Sequence, residues 1–354
     1  MANKSHNMKV PFDPTKIKMD SKVQSIYALM LRLEHDEIVT PSYQRHKVWN
    51  DEAKSRLIES LIVKIPIPVF YMDATDEDEW KVVDGLQRLT ALKEFLIDKT
   101  LKLCGLEYIK ELEGYSFDDL PRVFQRRILE TDVTVININP GTPEDVKYNI
   151  FKRINTGGLP LSGQEIRHAL NDGKATPTLL ELVKVLKFEN TWARGENNNS
   201  RMDLNELVLR AFALWFLDEE LIYNSTIDHY LAAGMKAIND SGDIEIERKK
   251  KNFINAYNTI KKIFGELAFR KIKPASDYKS PVNKNIYEMW MFCLKDLNGM
   301  ERSKLVELKV SVCNMFSNLL SNKTFGYAVS SRKGDTMKLR NTKLKEKLMD
   351  ILND

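Results

Sequence analysis

The stretch Lys81-Val82-Val83-Asp84-Gly85-Leu86-Gln87-Arg88-Leu89-Thr90-Ala91-Leu92 runs a short apolar strand through one glycine straight into a helix. Strand and helix joined this tightly place the early part of the chain among mixed α and β folds. The junction aims unpaired backbone N–H groups, a carboxylate, an amide and a guanidinium at one small volume. A helix N-terminus carries about half a positive charge and free donors, so it holds anions readily, phosphate above all.

The neighbouring segments fit that class. From Lys22 the positions Val23, Ile26, Met30 and Leu33 recur at helical spacing and predict a helix ending near His35. Ile38-Val39 reads as a short strand broken at Pro41, and Asn50 caps a helix through Val63 with an apolar face of Leu57, Ile58, Leu61 and Ile62. Ile67–Met72 and Trp80–Asp84 read as a hairpin around the acidic loop from Asp73 to Glu79, which is too charged to be buried; a solvated turn is the plainer reading than a metal loop. The helix after the glycine runs from Gln87 to about Asp98. Thr100–Cys104 and Asp132–Ile138 read as strands, with Asp118–Leu129 helical between them.

Beyond Pro140 the apolar period is near 3.6 throughout, and no fixed-length repeat is present. Thr142-Pro143-Glu144-Asp145 opens a helix that Gly157 closes, and Ser162-Gly163-Gln164-Glu165 is a capping box. With 354 residues, 43% of them hydrophobic, the chain is long enough for two cores. The expected organisation is α+β: a loosely held arm over 1–20, an α/β domain over 21–140, and an all-helical domain over 141–354 whose first helix lends its end to the site.

A formal net charge of +4 permits contact with nucleic acid without requiring it. Cys104, Cys293 and Cys313 form no paired spacing, which suits a reducing cytoplasm. Residues 1–20 lack the apolar core of a signal peptide and no apolar run approaches a bilayer span, so neither secretion nor a membrane partner is expected.

Three segments combine phosphate-compatible side chains with turns: Pro41-Ser42-Tyr43-Gln44-Arg45 with Trp49, Asp84–Arg88, and Phe151-Lys152-Arg153-Ile154-Asn155-Thr156-Gly157-Gly158. Each sets an arginine beside an amide. Arginine forks suit phosphate oxygens, amides orient water or read a base, and Asp84 is the candidate for a divalent cation. The plain alternatives are a surface ion pair for Arg45, a cap for Asp84 and a helix stop for Gly157-Gly158.

The order Tyr43-Gln44-Arg45, Trp49, Ile65-Pro66-Ile67-Pro68, Asp84-Gly85-Leu86-Gln87-Arg88-Leu89-Thr90, Phe151-Lys152-Arg153-Ile154-Asn155 and Leu161–Arg167 resembles the domain of unknown function family 262. That family belongs to the ParB and sulfiredoxin-like superfamily and is similar to the amino-terminal half of GmrSD-type and SspE-type DNA restriction proteins. The resemblance implies a nucleotide-responsive module of a restriction or antiviral defence system, whose Asp-Gly-Gln-Gln-Arg motif serves NTP binding or hydrolysis with Mg²⁺. It implies Asp84, Gln87 and Arg88 as catalytic, with Asp84 as the Mg²⁺ ligand, and Gln44, Arg45, Gly85, Arg153, Asn155 and Thr156 as nucleotide-binding. The implied partners are a nucleotide, DNA, a separate nuclease subunit and further copies of the chain. Leu86 departs from the motif, standing where the family has its first glutamine, which puts hydrolysis in question.

Sulfiredoxins need a cysteine in the matching turn; Gly85-Leu86-Gln87-Arg88 has none, which excludes that chemistry. His229 is the last histidine, so residues 230–354 lack the histidine that an appended HNH nuclease needs as base and metal ligand. His46 and His168 lie beside motif arginines, and a hydrogen-bonded structural histidine is the simpler reading of both. Arg248-Lys249-Lys250-Lys251 and the basic tail from Arg332 to Lys347 form a DNA-backbone candidate or a solvated face. The leading reading is a nucleotide-binding, NTP-hydrolysing regulator. A non-hydrolysing DNA-binding or adaptor protein and a ParB-like nuclease stand as alternatives.

Overall fold

A computed structural model describes residues 13–39, 49–154, 162–171, 173–188, 192, 202–272, 280–331 and 333–353. Two compact units emerge, residues 1–161 and 162–354. The first unit holds a five-stranded sheet of order β1-β5-β3-β4-β2, built from β1 (Met19–Ser25), β2 (Ile38–Val39), β3 (Phe70–Asp73), β4 (Trp80–Asp84) and β5 (Asp132–Ile138). β1 runs antiparallel to β5 and β3 antiparallel to β4, whereas β3–β5 and β2–β4 are parallel. Helices α1 (Ile26–Glu34), α2 (Asp51–Ile62), α3 (Leu86–Leu96), α4 (Arg122–Leu129) and α5 (Glu144–Ile154) complete the unit. Ile58, Leu61, Phe70, Leu92, Phe95 and Val135 form the centre of its core.

Local signals explain these elements. Asn50 Oδ1 accepts the Ala53 N–H at 2.9 Å and starts α2, and Ser25 Oγ accepts the Ala28 N–H at 3.2 Å and starts α1. The expected hairpin is β3–β4. Pro66 and Pro68 cannot donate to a ladder, so β3 begins only at Phe70 rather than at Ile67. Thr100–Cys104, expected as a strand, is irregular: Leu103 exchanges hydrogen bonds with Gly114 and Tyr115 across a loop, and Leu101 and Leu103 are buried without a ladder.

Further differences are instructive. Residues 19–25 pair with β5 instead of opening a helix at Lys22, and Val23, which shared the helical spacing, is 68% exposed. Asp73, placed by sequence in a solvated loop, ends β3 and is buried, with Oδ1 accepting from Thr75 N at 3.1 Å and Lys147 Nζ lying 3.7 Å from Oδ2. Lys147 belongs to α5, which also packs on β4, so this helix, expected with the helical part, lies in the first unit. The Thr142 hydroxyl accepts from Lys18 N at 3.1 Å and donates to Lys18 O at 3.2 Å, pinning the start of β1.

Among the described residues the second unit is helical apart from an isolated bridge between Arg270 and Val282. It opens with α6 (Gly163–Leu170), where Ser162 and Glu165 form the capping box read from sequence. Its core gathers Phe212, Phe253, Tyr257, Ile286, Tyr287 and Trp290. Within it, Glu288 is buried between two arginines, accepting from Arg210 Nε and, at 3.3 Å, from Arg340.

Candidate functional site

β4 is buried at Val82 and Val83 and ends at Asp84, on the rim of the sheet. Gly85 then takes φ +105°, and a Cβ there would stand 2.5 Å from Phe70 Cδ1 and 3.1 Å from an Arg88 nitrogen. Glycine is the residue that permits the turn, both for its dihedral and for the close approach of Phe70. It is also the N-cap of α3, and no side chain caps the helix. The first N–H groups of α3 are therefore left to whatever lies beyond the turn.

Arg88 faces inward. It donates to Pro68 O, to Val69 O at 3.0 Å and to Asp84 Oδ2 at 2.9 Å, and its guanidinium lies 4.5 Å from the centre of the Phe70 ring. Burial lowers its pKa, with Asp84 acting in the opposite direction. Asp84 is 32% exposed, and among the described residues its Oδ1 accepts no hydrogen bond. Gln87 Oε1 accepts the Trp49 N–H at 3.4 Å, which brings Trp49 to the turn. Leu86 is half-buried and packs against the core.

Asp84, Gly85, Gln87 and Arg88 thus share one junction. Arg153 is exposed in the last turn of α5 and makes no hydrogen bond or ion pair with that junction among the described residues. Gln44, Arg45, His46, Asn155 and Thr156 lie outside the described residues. No group of three or more His, Cys, Asp or Glu that could hold a metal occurs among the described residues, so Asp84 stands as a single carboxylate. One carboxylate with a free oxygen suits Mg²⁺ only where phosphate oxygens and water complete the shell.

Elsewhere the residues read as binding candidates are partly spent. Lys250 is buried against Glu181 at 2.5 Å and Glu247 at 2.6 Å, and Lys249 pairs with Glu245 at 2.8 Å, leaving Arg248 and Lys251 as the exposed members of that cluster. His168 is buried and hydrogen-bonded to Thr176, the structural role. Sequence reasoning missed Lys54, buried with Nζ 2.6 Å from Glu94 and 3.1 Å from Asp51, and Glu59, whose carboxylate gathers three backbone N–H groups. Their one signal was position, since both lie in α2 close to its apolar residues Leu57, Ile58, Leu61 and Ile62.

Fold and junction together define an α+β domain in which a sheet strand ending in an acid passes through a left-handed glycine into an uncapped helix bearing an amide and a buried arginine. Residues 28–171 match the family described as GmrSD restriction endonuclease, N-terminal domain. That portion of the chain is similar to this domain, and the match contains every motif segment from Tyr43 to Arg167. No curated protein and no solved structure matches the chain. No helix among the described residues is long and apolar enough to cross a membrane.

Proposed function

We propose that this protein binds a nucleoside triphosphate with Mg²⁺ at the amino end of α3 and serves as the nucleotide-responsive, regulatory part of a restriction-type DNA defence system. The observation that carries the reading is the left-handed Gly85, which leaves the N-terminus of α3 uncapped beside a carboxylate with a free oxygen. The similarity of residues 28–171 to the GmrSD amino-terminal domain supplies the biological class. Backbone N–H groups of the first helical turn hold phosphate oxygens. Asp84 Oδ1 binds the cation directly or through water, and the cation removes the repulsion between carboxylate and phosphate.

Gln87, tied to Trp49 through Oε1, presents its amide at the same place and orients the attacking water. Arg88 acts one step back: it fixes Asp84 and the Pro68–Val69 carbonyls, and so sets the shape of the turn. Titration calorimetry with each Mg·NTP, together with phosphate release, tests the proposal. Wild type binds, Asp84→Asn loses about ten-fold in affinity for the Mg²⁺ complex, and Gln87→Ala slows release at little changed affinity. Failure of the wild-type protein to bind any Mg·NTP, with or without DNA, overturns it.

A further inference from the structure

β1 is an edge of the sheet among the described residues, seven residues long, with Met19 38% and Val23 68% exposed. Unguarded edges of this kind are templates for strand pairing. Its hydrogen-bonding parity is fixed: Asn139 N–H donates to Lys18 O at 2.8 Å and Ile26 N–H to Thr131 O at 2.9 Å, in the register that pairs Met19 with Ile138. Even-numbered residues of β1 therefore turn their backbone groups towards β5. Met19, Ser21, Val23 and Ser25 turn theirs outwards.

We propose that β1 is a self-pairing edge through which two copies of this chain join, antiparallel, with Ser21 opposite the partner's Ser21. Among the two-fold registers, this one matches chemistry at each step. Met19 meets the partner's Val23, so the two exposed apolar side chains cover each other. Asp20 meets the partner's Lys22, and Lys22 the partner's Asp20, at positions without backbone hydrogen bonds, where side chains approach most closely. Met19, Ser21 and Val23 supply the ladder. Sliding by one residue about the axis is refused: centring on Asp20 opposes two carboxylates, and centring on Lys22 opposes two ammonium groups. Within one chain Lys22 Nζ lies 3.5 Å from Asp20 Oδ2 and 5.9 Å from the centre of the Trp80 ring; the Lys22 side chain is 58% and the Asp20 side chain 39% exposed, and Asp20 Oδ1 is buried, so Oδ2 is the oxygen that a partner's lysine meets. The result is one continuous sheet running β2-β4-β3-β5-β1 and back through the partner in reverse.

Analytical ultracentrifugation of the full chain tests this with a charge swap. Wild type shows a monomer–dimer equilibrium; Asp20→Lys or Lys22→Asp alone weakens it about ten-fold, and the double variant restores it, because each new lysine then faces a new aspartate. A second readout does not depend on charge. Ser21→Cys gives a disulfide-linked dimer under mild oxidation, whereas Val23→Cys, opposite methionine, does not. A chain that stays monomeric at every concentration, a dimer indifferent to both single reversals, or equal cross-linking at 21 and 23 each overturns the proposal.

Discussion

Gly85 decides the geometry of the junction through what it lacks. At φ +105°, with Phe70 Cδ1 2.5 Å from where a Cβ would stand, Gly85→Ala meets both backbone strain and a clash in a packed core. The expected loss is about 3 kcal/mol in urea denaturation, the sum of a left-handed alanine and an overpacked side chain. A loss below about 1 kcal/mol shows that Phe70 yields, and that the turn is not held by packing. Arg88 is the second residue on which the turn depends. Arg88→Ala removes donors from Pro68 O and Val69 O and strips Asp84 of its partner, so the expected cost is about 3 kcal/mol, measured the same way. Arg88→Lys recovers only part, since an ammonium cannot span both carbonyls and the carboxylate in the plane of a guanidinium. Substituting Arg88 therefore reports on folding and nucleotide binding together, and Asp84 and Gln87 are the residues that separate them.

At the scale of elements, α2 is fastened to the loop beyond α3 by Glu59. Its carboxylate accepts from the N–H of Glu107 at 3.0 Å, Tyr108 at 2.7 Å and Ile109 at 2.9 Å. Burial pushes the Glu59 pKa up, but the three backbone donors outweigh it and hold the group below its ordinary 4.5. A folded-state value below the unfolded one means that this stabilisation is complete above about pH 4.5 and drains away as pH falls through the lowered value. Glu59→Gln is expected to cost about 2 kcal/mol at neutral pH, and the gap to wild type narrows in acid. Urea midpoints at pH 7 and pH 3 read this directly; a gap that stays constant refutes the account. Such elements also mark what sequence could reveal. Asn50, Ser162 and Gly85 announce themselves because caps and left-handed turns depend on one residue and its nearest neighbours. Val23 misled because its spacing to Ile26 and Met30 is helical, while pairing with β5, a partner more than a hundred residues away, assigns it to a strand. Inward-turned Arg88, Asp73 with Lys147, and Thr142 with Lys18 were equally hidden, since each is settled by a carbonyl, hydroxyl or charge that sequence order does not place nearby.

Over the whole molecule, two cores with no common residue imply that damage stays where it is made. The second unit has a specific weak point in Glu288, which is the countercharge of Arg210 and Arg340 in a region where all three are buried. Among the described residues Arg210 has one further ion pair, with Glu206 at 3.9 Å, and Glu206 is itself held by Arg167 at 2.5 Å. Burial lowers the pKa of Arg340 while Glu288 opposes that shift, so removing the carboxylate leaves a cation in a site whose surroundings disfavour it. Glu288→Ala is expected to cost about 4 kcal/mol, because a buried ion pair broken on one side leaves its partners uncompensated. Hydrogen exchange localises the effect: amides in 203–212, 284–293 and 334–353, the helices that carry the network, exchange faster, while those of β4 and α3 keep their protection. Gly85→Ala produces the reverse pattern. Uniform loss of protection across both units in either variant shows that the chain unfolds as one cooperative body, and that the separation of the cores has no energetic counterpart.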